Sequence, residues 1–281
     1  MFHFRADLHV HTLYSDGSMT PEELIIAAKT QGLAGLSITD HDNIAAYDEA
    51  LSLAKKHDIQ MISGVEFSAM FQEESVHILG YSFSLKNPEL RALCDQHRVR
   101  RSERNNRILD NLASMGIILD RDSLHGGELC GKTWGRPHIA QALLKKGVVS
   151  SIQEAFDLYL SEGRSAYDPG EPISATETIE VVHKAGGFAI LAHPQLMKKR
   201  RIVKRLLELD FDGLEGYYAR CSPEQEREWI DIARRKNWLI TGGSDYHGNV
   251  KPHSQLGSSW VNEETFRLLY ERFCTSQSRE D

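Results

Sequence analysis

At 281 residues, 41% of them hydrophobic and 26% charged, the chain has room for one large domain or for one domain carrying an insertion. A net charge of -7 argues against a generally basic nucleic-acid coat, and no apolar run approaches the roughly 18 residues of a membrane span. Four scattered cysteines without a C-x-x-C pair, and first residues without a signal layout, make a reducing, cytoplasmic setting the expectation.

In chain order, a strand is expected over Phe4–Leu8, then a helix from Pro21 to Gln31, opened by the capping sequence Thr20-Pro21-Glu22-Glu23. A strand (Gly35–Thr39), a helix (Ile44–His57) and strands at Gln60–Val65 and Val76–Tyr81 follow. Between Pro88 and Ala166 the pattern is helical throughout: 89–115, 137–146 and 152–160, with a glycine-rich linker at Gly126, Gly127, Gly131 and Gly135. The alternation then resumes. Helices are expected at 175–185, 203–209, 223–236 and 263–273, and strands at 188–192, 213–217 and 239–242, with a weaker strand near 257–261. Such alternation predicts an α/β fold with a parallel sheet and crossover helices, divided into 1–87, a helical insertion over 88–168, and 169–281.

Most of the chemistry-bearing residues follow the predicted strands directly. They are His9 and His11 in Asp-Leu-His-Val-His, Asp16 in Ser-Asp-Gly, His41 in Thr-Asp-His, Glu66 in Gly-Val-Glu, His77, His193 in Ala-His-Pro, and Asp245 and His247 in Ser-Asp-Tyr-His. Strand ends of a parallel α/β barrel converge on one face, so imidazoles and carboxylates gathered there predict a metal site. Side chains two apart on a strand share a side, so His9 and His11 can bind one cation together. The two oxygens of Glu66 can join two metals roughly 3.5–4 Å apart. This mixture of ligands suits manganese first, with iron or zinc as alternatives. Asp7 and Asp40 each sit beside a candidate histidine and are expected to orient ligands by hydrogen bonds. Taken singly, Asp16 would be a turn residue and His77 or His193 a core histidine; the ensemble carries the reading. His138 and His253 are further functional candidates.

Asp-Leu-His-Val-His-Thr, Ser-Asp-Gly, Ile-Thr-Asp-His-Asp, Gly-Val-Glu-Phe-Ser, His-Ile-Leu-Gly-Tyr, Ala-His-Pro and Gly-Ser-Asp-Tyr-His together closely resemble the polymerase and histidinol phosphatase (PHP) superfamily. The resemblance runs from Asp7 to about Gly257, outside the middle insertion. It implies a distorted seven-stranded β/α barrel with a small helical insertion and two or three divalent metals. By the same resemblance His9, His11, Glu66 and Asp245 hold the first metal, Glu66, His77 and His193 the second, and Asp16, His41 and His247 the third. Some relatives have His where Asp16 stands; the aspartate still ligates and adds negative charge. Gly135-Arg136-Pro137-His138-Ile139-Ala140 is similar to the branch that hydrolyses nucleoside 3′,5′-bisphosphates and degrades short RNA from the 5′ end. There Arg136 and His138 reach the substrate phosphate, and the guanidinium fork suits two phosphate oxygens.

Other motifs are weaker. Gly126–Thr133 fits the P-loop string, but Gly135 and Pro137 interrupt the helix that string requires. Arg100, Arg104 and Arg107 share a helical face that is either solvated or a basic lip for a phosphate backbone. Tyr217, Tyr218 and Arg220 follow a strand and could line the site mouth, with Tyr218 stacking a base or serving the core or rim.

The expected activity is metal-dependent phosphoester hydrolysis of a nucleotide or short oligonucleotide, with no membrane and no obligate protein partner. His9, His11, Glu66, His193, Asp245 and His247 form the reacting centre, Arg136, His138, Arg220 and His253 contact substrate, and the proton donor to the leaving oxygen is left open among His193, His247 and His138. Rival readings are a histidinol-phosphate phosphatase, a non-catalytic PHP module that binds nucleic acid, and a C–N hydrolase using the same hydroxide.

Overall fold

The computed structural model describes residues 4–120, 124 and 132–278. They form two compact units: one runs to Cys94 and resumes at Ile173, and the other is Asp95–Pro172.

The first unit holds all eight strands of the described residues, in two sheets rather than one closed parallel barrel. β1 (Ala6–Val10), β2 (Gly35–Ile38) and the two-residue β3 (Gln60–Met61) form a parallel sheet in that order. β4 (Gly64–Phe71), β5 (Glu74–Tyr81), β6 (Phe188–Leu191), β7 (Gly213–Tyr218) and β8 (Leu239–Gly243) form the second. In this sheet β4–β5 and β5–β6 pair antiparallel, against the all-parallel expectation. The expected strand at 60–65 is two strands, and the second continues to Phe71 before a tight hairpin. The hairpin was illegible because its two-residue turn, Gln72-Glu73, has φ of 50° and 66° without the Asn-Gly signal such turns usually carry. Gly257–Val261 forms no strand; only Val261 bridges Ala6. Single bridges, Val10 to Tyr246 and His41 to Glu66, join the two sheets where a closed barrel would have ladders.

Helices α1 (Pro21–Thr30), α2 (Tyr47–Lys56) and the long α3 (Pro88–Ser114) lie between these strands, with α3 running on into the second unit. Thr20 and Glu23 form the expected capping box of α1. The second unit adds α4 (Arg136–Lys145) and α5 (Ile152–Ala155), which continues as a π-helical turn over Phe156–Leu160. Its own core is Ile108, Leu112, Ile139, Leu143 and Leu160. The first unit resumes with α6 (Ala175–Lys184), α7 (Arg200–Leu206), α8 (Pro223–Lys236) and α9 (Glu263–Ser278).

Strand alternation sorts the first unit's side chains. Val65, Phe67 and Ala69 of β4 and Val76 and Ile78 of β5 pack in one hydrophobic cluster. Leu79, Tyr81, Ile190 and Ala192 belong to another, beneath Phe266 and Phe273 of α9. Glu66 and His77 fall on the faces opposite Val65, Phe67, Val76 and Ile78. In β1, three steps from Asp7 to Val10 match two steps from Leu36 to Ile38, which is a bulge. Adjacent strand residues point to opposite faces, so Leu8 joins the Tyr81 cluster while His9 reaches Glu66.

Gly243 sets the spacing of β8 and β1, since an added methyl would overlap Cβ and the backbone nitrogen of His9. Gly243→Ala is therefore expected to destabilise the protein by roughly 1–3 kcal/mol, the usual cost of overpacking. It should also weaken metal uptake, because His9 must move. A denaturant midpoint and a metal titration both equal to wild type would refute this.

Candidate metal centre

Glu66 is the hub of the first unit's strand-end cluster. It is 1% exposed. Its Oε2 lies 3.2 Å from each of His9 Nε2, His11 Nε2 and His41 Nδ1. Its Oε1 lies 2.7 Å from His77 Nδ1 and 2.9 Å from His193 Nε2. Asp245 Oδ1 stands 3.4 Å from His11 Nε2 and 3.6 Å from His9 Nε2. Asp16 Oδ1 is 3.2 Å from His247 Nε2, and its Oδ2 is 3.8 Å from His41 Nε2. All nine residues read as ligands in the sequence thus fall in one cluster. Its metal-sized groupings are His9/His11/Glu66/Asp245, His11/Asp16/His41/His247 and His41/Glu66/His77. Their membership differs from the expected sets by sharing His11 and His41 between neighbours; His193 stays close to Glu66 and His77.

The donor atoms fit divalent cations. His9 Nε2, His11 Nε2, His41 Nδ1, His247 Nε2, Glu66 Oε2 and Asp16 Oδ1 are all buried without a hydrogen-bond partner. Six such orphans converging in one place would be costly unless a cation completed them. Backbone strain gathers here too: His193 and Asp245 have φ of 26° and 52°, a region non-glycine residues avoid unless the surroundings impose it.

The electrostatics have the same bias. Burial opposes charge on His9, His11, Asp16, His41, Glu66 and Asp245. Even so, Asp245 and Glu66 push the His11 imidazole up to about 9, and His41, His77 and His9 hold Glu66 well below its usual range. His41 goes the other way, down to about 3, because burial is reinforced by His11 and His77. The cluster thus attracts positive charge but cannot place a proton on each ring.

The supporting residues depart from expectation. Among the described residues, Asp7 touches no imidazole. Its oxygens accept the backbone N–H groups of Ser244, Gly257 and His9 at 2.9, 2.8 and 3.3 Å, and burial raises its pKa to about 6. Asp40 acts at one remove. It accepts the Thr12 hydroxyl and backbone N–H at 2.6 and 2.8 Å and the Ser15 hydroxyl at 2.5 Å, and Ser15 Oγ lies 3.4 Å from His11 Nδ1.

The carboxylate that does orient ligands was missed in the sequence. Glu215, fully buried in β7, lies 2.9 Å from His9 Nδ1 and accepts the His193 N–H at 2.8 Å. The available signal was a lone carboxylate in the apolar run Gly213–Tyr218. A bulge between Glu215 and Tyr217 then carries Tyr218 to the same side, where its hydroxyl donates to Asp245 Oδ2 at 2.8 Å. Tyr218 is therefore buried and engaged, not a free stacking platform. Glu215→Gln should lower metal affinity by roughly ten- to a hundredfold, as loss of a ligand-orienting carboxylate commonly does. Unchanged affinity in a competition titration would sink that role.

The substrate candidates are divided between the two units. Arg220 and His253 are exposed in the first unit. In the second unit, Arg136 lies over the Tyr167 ring at 5.5 Å and donates to the Leu160 carbonyl at 3.3 Å. His138 Nδ1 accepts the Gly135 N–H at 3.1 Å and so caps its own helix. Arg107 pairs with Asp168 at 3.0 Å, so that part of the basic face is engaged. The P-loop string lies largely outside the described residues.

The model of the PHP domain matches residues 7–164. A 5′-3′ exoribonuclease of Haemophilus influenzae is 36% identical over 251 residues, covering 86% of this chain and 89% of the relative. A 3′,5′-nucleoside bisphosphate phosphatase of Chromobacterium violaceum is 30% identical, covering 86% of each. Among solved structures, a candidate metal-dependent phosphoesterase of Bifidobacterium adolescentis superposes with a TM-score of 0.87 at 33% identity, covering 95% of this chain and 96% of the other.

Proposed function

The chain belongs to the PHP domain family, and on that premise we propose that it is a metal-dependent phosphoesterase releasing phosphate from nucleoside 3′,5′-bisphosphates and from the 5′ ends of short RNA. The observation that carries this reading is the set of six orphaned donor atoms around Glu66. His9, His11, Glu66 and Asp245 would hold one cation, Glu66, His77 and His193 a second, and Asp16, His41 and His247 a third, with manganese preferred over iron or zinc. Such cations supply a water that is nucleophilic near neutral pH and positive charge for the phosphoryl oxygens. The chain's own part is to fix geometry: Glu215 holds the His9 ring and the His193 backbone, and Tyr218 holds Asp245.

A distorted seven-stranded barrel interrupted by an insertion over 88–168 is our architectural reading, supported by the single bridges that join the sheet edges. The undiminished donor set disfavours a non-catalytic nucleic-acid module. No helix of the described residues is long and apolar enough to cross a membrane.

The decisive experiment loads metal-stripped protein with Mn, Fe or Zn and compares four substrates: a nucleoside 3′,5′-bisphosphate, a short 5′-phosphorylated RNA, histidinol phosphate and an amide. Preference for the first two is expected. Preference for histidinol phosphate or the amide would replace the proposal with that rival.

Arg136 is assigned to substrate phosphate on the resemblance. Arg136→Ala should cost roughly 1.5–3 kcal/mol, one to two decades of efficiency, on bisphosphates and oligonucleotides, and less on a nitrophenyl phosphodiester. Arg136→Lys should rescue in part, since a point charge cannot copy the fork. Equal losses on every substrate would reduce Arg136 to its packing on Tyr167.

A further inference from the structure

A cation borders the donor cluster beside Asp245. Lys251 follows the 3-10 turn Gly248–Val250, which is fastened to the loop after β1 by the Asn249 N–H donating to Ser18 Oγ at 3.0 Å. Its Nζ lies 3.2 Å from Asp245 Oδ2 and 3.5 Å from Oδ1. The two oxygens of Asp245 thus divide their work. Oδ1 faces His9 and His11 and meets Lys251 at the longer distance, while Oδ2 is taken up by the Tyr218 hydroxyl and the Lys251 ammonium.

Exposure distinguishes the two donors to Oδ2. The Tyr218 side is sealed, but the Lys251 side chain is 39% exposed against 6% for Asp245. An ammonium has three N–H donors, and one carboxylate occupies at most two of them. Asp245 balances the ammonium on one side only; with cations in the cluster, an anion arriving on the exposed side of Lys251 would be attracted by both. A phosphate arriving from solvent is such an anion.

We propose that Lys251 is a substrate-binding residue, whose remaining N–H donor grips a non-bridging oxygen of the scissile phosphoryl group while Asp245 anchors its ammonium beside the cluster. This rests on the phosphoesterase reading above.

The test uses the full chain loaded with Mn, with inorganic phosphate as the probe, comparing wild type, Lys251→Gln and Lys251→Arg. Three readouts are needed: bound metal per chain, phosphate affinity by calorimetry, and the KM-against-kcat split on a phosphate monoester. For Lys251→Gln, metal content should hold, phosphate affinity should fall roughly ten- to a hundredfold, and KM should rise more than kcat falls. Lys251→Arg should recover part of the affinity. Wild-type phosphate affinity in Lys251→Gln would overturn the proposal. So would a parallel loss of metal, which would make Lys251 a positioning residue for Asp245. A wild-type enzyme that neither binds phosphate nor cleaves the ester would instead sink the phosphoesterase reading itself.

Discussion

Replacing Glu66 by glutamine is expected to remove bound metal and to lower phosphoester hydrolysis by at least about a thousandfold, with the circular dichroism spectrum unchanged. The magnitude follows from losing several kcal/mol of metal-supplied stabilisation of the transition state. The cause is local. Each Glu66 oxygen faces its own imidazoles: Oε1 meets His77 and His193, and Oε2 meets His9, His11 and His41. An amide has one acceptor and presents N–H groups on the other side. Whichever way it turns, one set of imidazoles would face a donor where a shared anion stood. Glu66→Ala should lose metal just as completely. Wild-type turnover with metal content preserved would remove Glu66 from the centre.

Stripping the metal with a chelator should likewise abolish activity, reversibly, and lower the melting temperature by on the order of 10 °C. A ligand present at about a thousand times its Kd stabilises by about 4 kcal/mol, and a domain of this size shifts by a few degrees per kcal/mol. The pH dependence has a definite sign. Without metal, His11 binds a proton up to about pH 9 beside Asp245 and Glu66. That proton pairing stabilises the stripped protein fully below pH 6.5 and is lost as pH rises through about 9. Metal must displace the same proton, so apparent metal affinity should climb across this window and collapse in acid. Affinity flat between pH 6 and 9, or a melting temperature indifferent to chelator, would contradict this.

The cluster was legible because most of its members sit in short polar motifs directly after an apolar run, and the structure brings all nine side chains together. What escaped the sequence has a common physical origin in broken alternation. Period-two reasoning gives Glu215 and Tyr217 one face, but the intervening bulge substitutes Tyr218 for Tyr217. The Gln72-Glu73 hairpin turned an expected parallel crossover into an antiparallel pair. Asp7 looked like a partner for a neighbouring histidine, yet its carboxylate ties the ends of the sheet through amides 237 and 250 residues away. Lys251 carried no motif, because its meaning depends on where the loop after Asp245 returns it.

The spread of the donors along the chain also bears on biogenesis. During synthesis, at roughly 5–20 residues per second, His9, His11, Asp16, His41, Glu66 and His77 emerge well before the others. His193 lies 127 residues after Glu66, and Asp245 and His247 come later still. A nascent chain therefore displays incomplete chelating sites for much of its translation. Only when β8 docks against β1 are all nine donors brought together, so the full coordination sphere must wait until the chain has been made beyond His247.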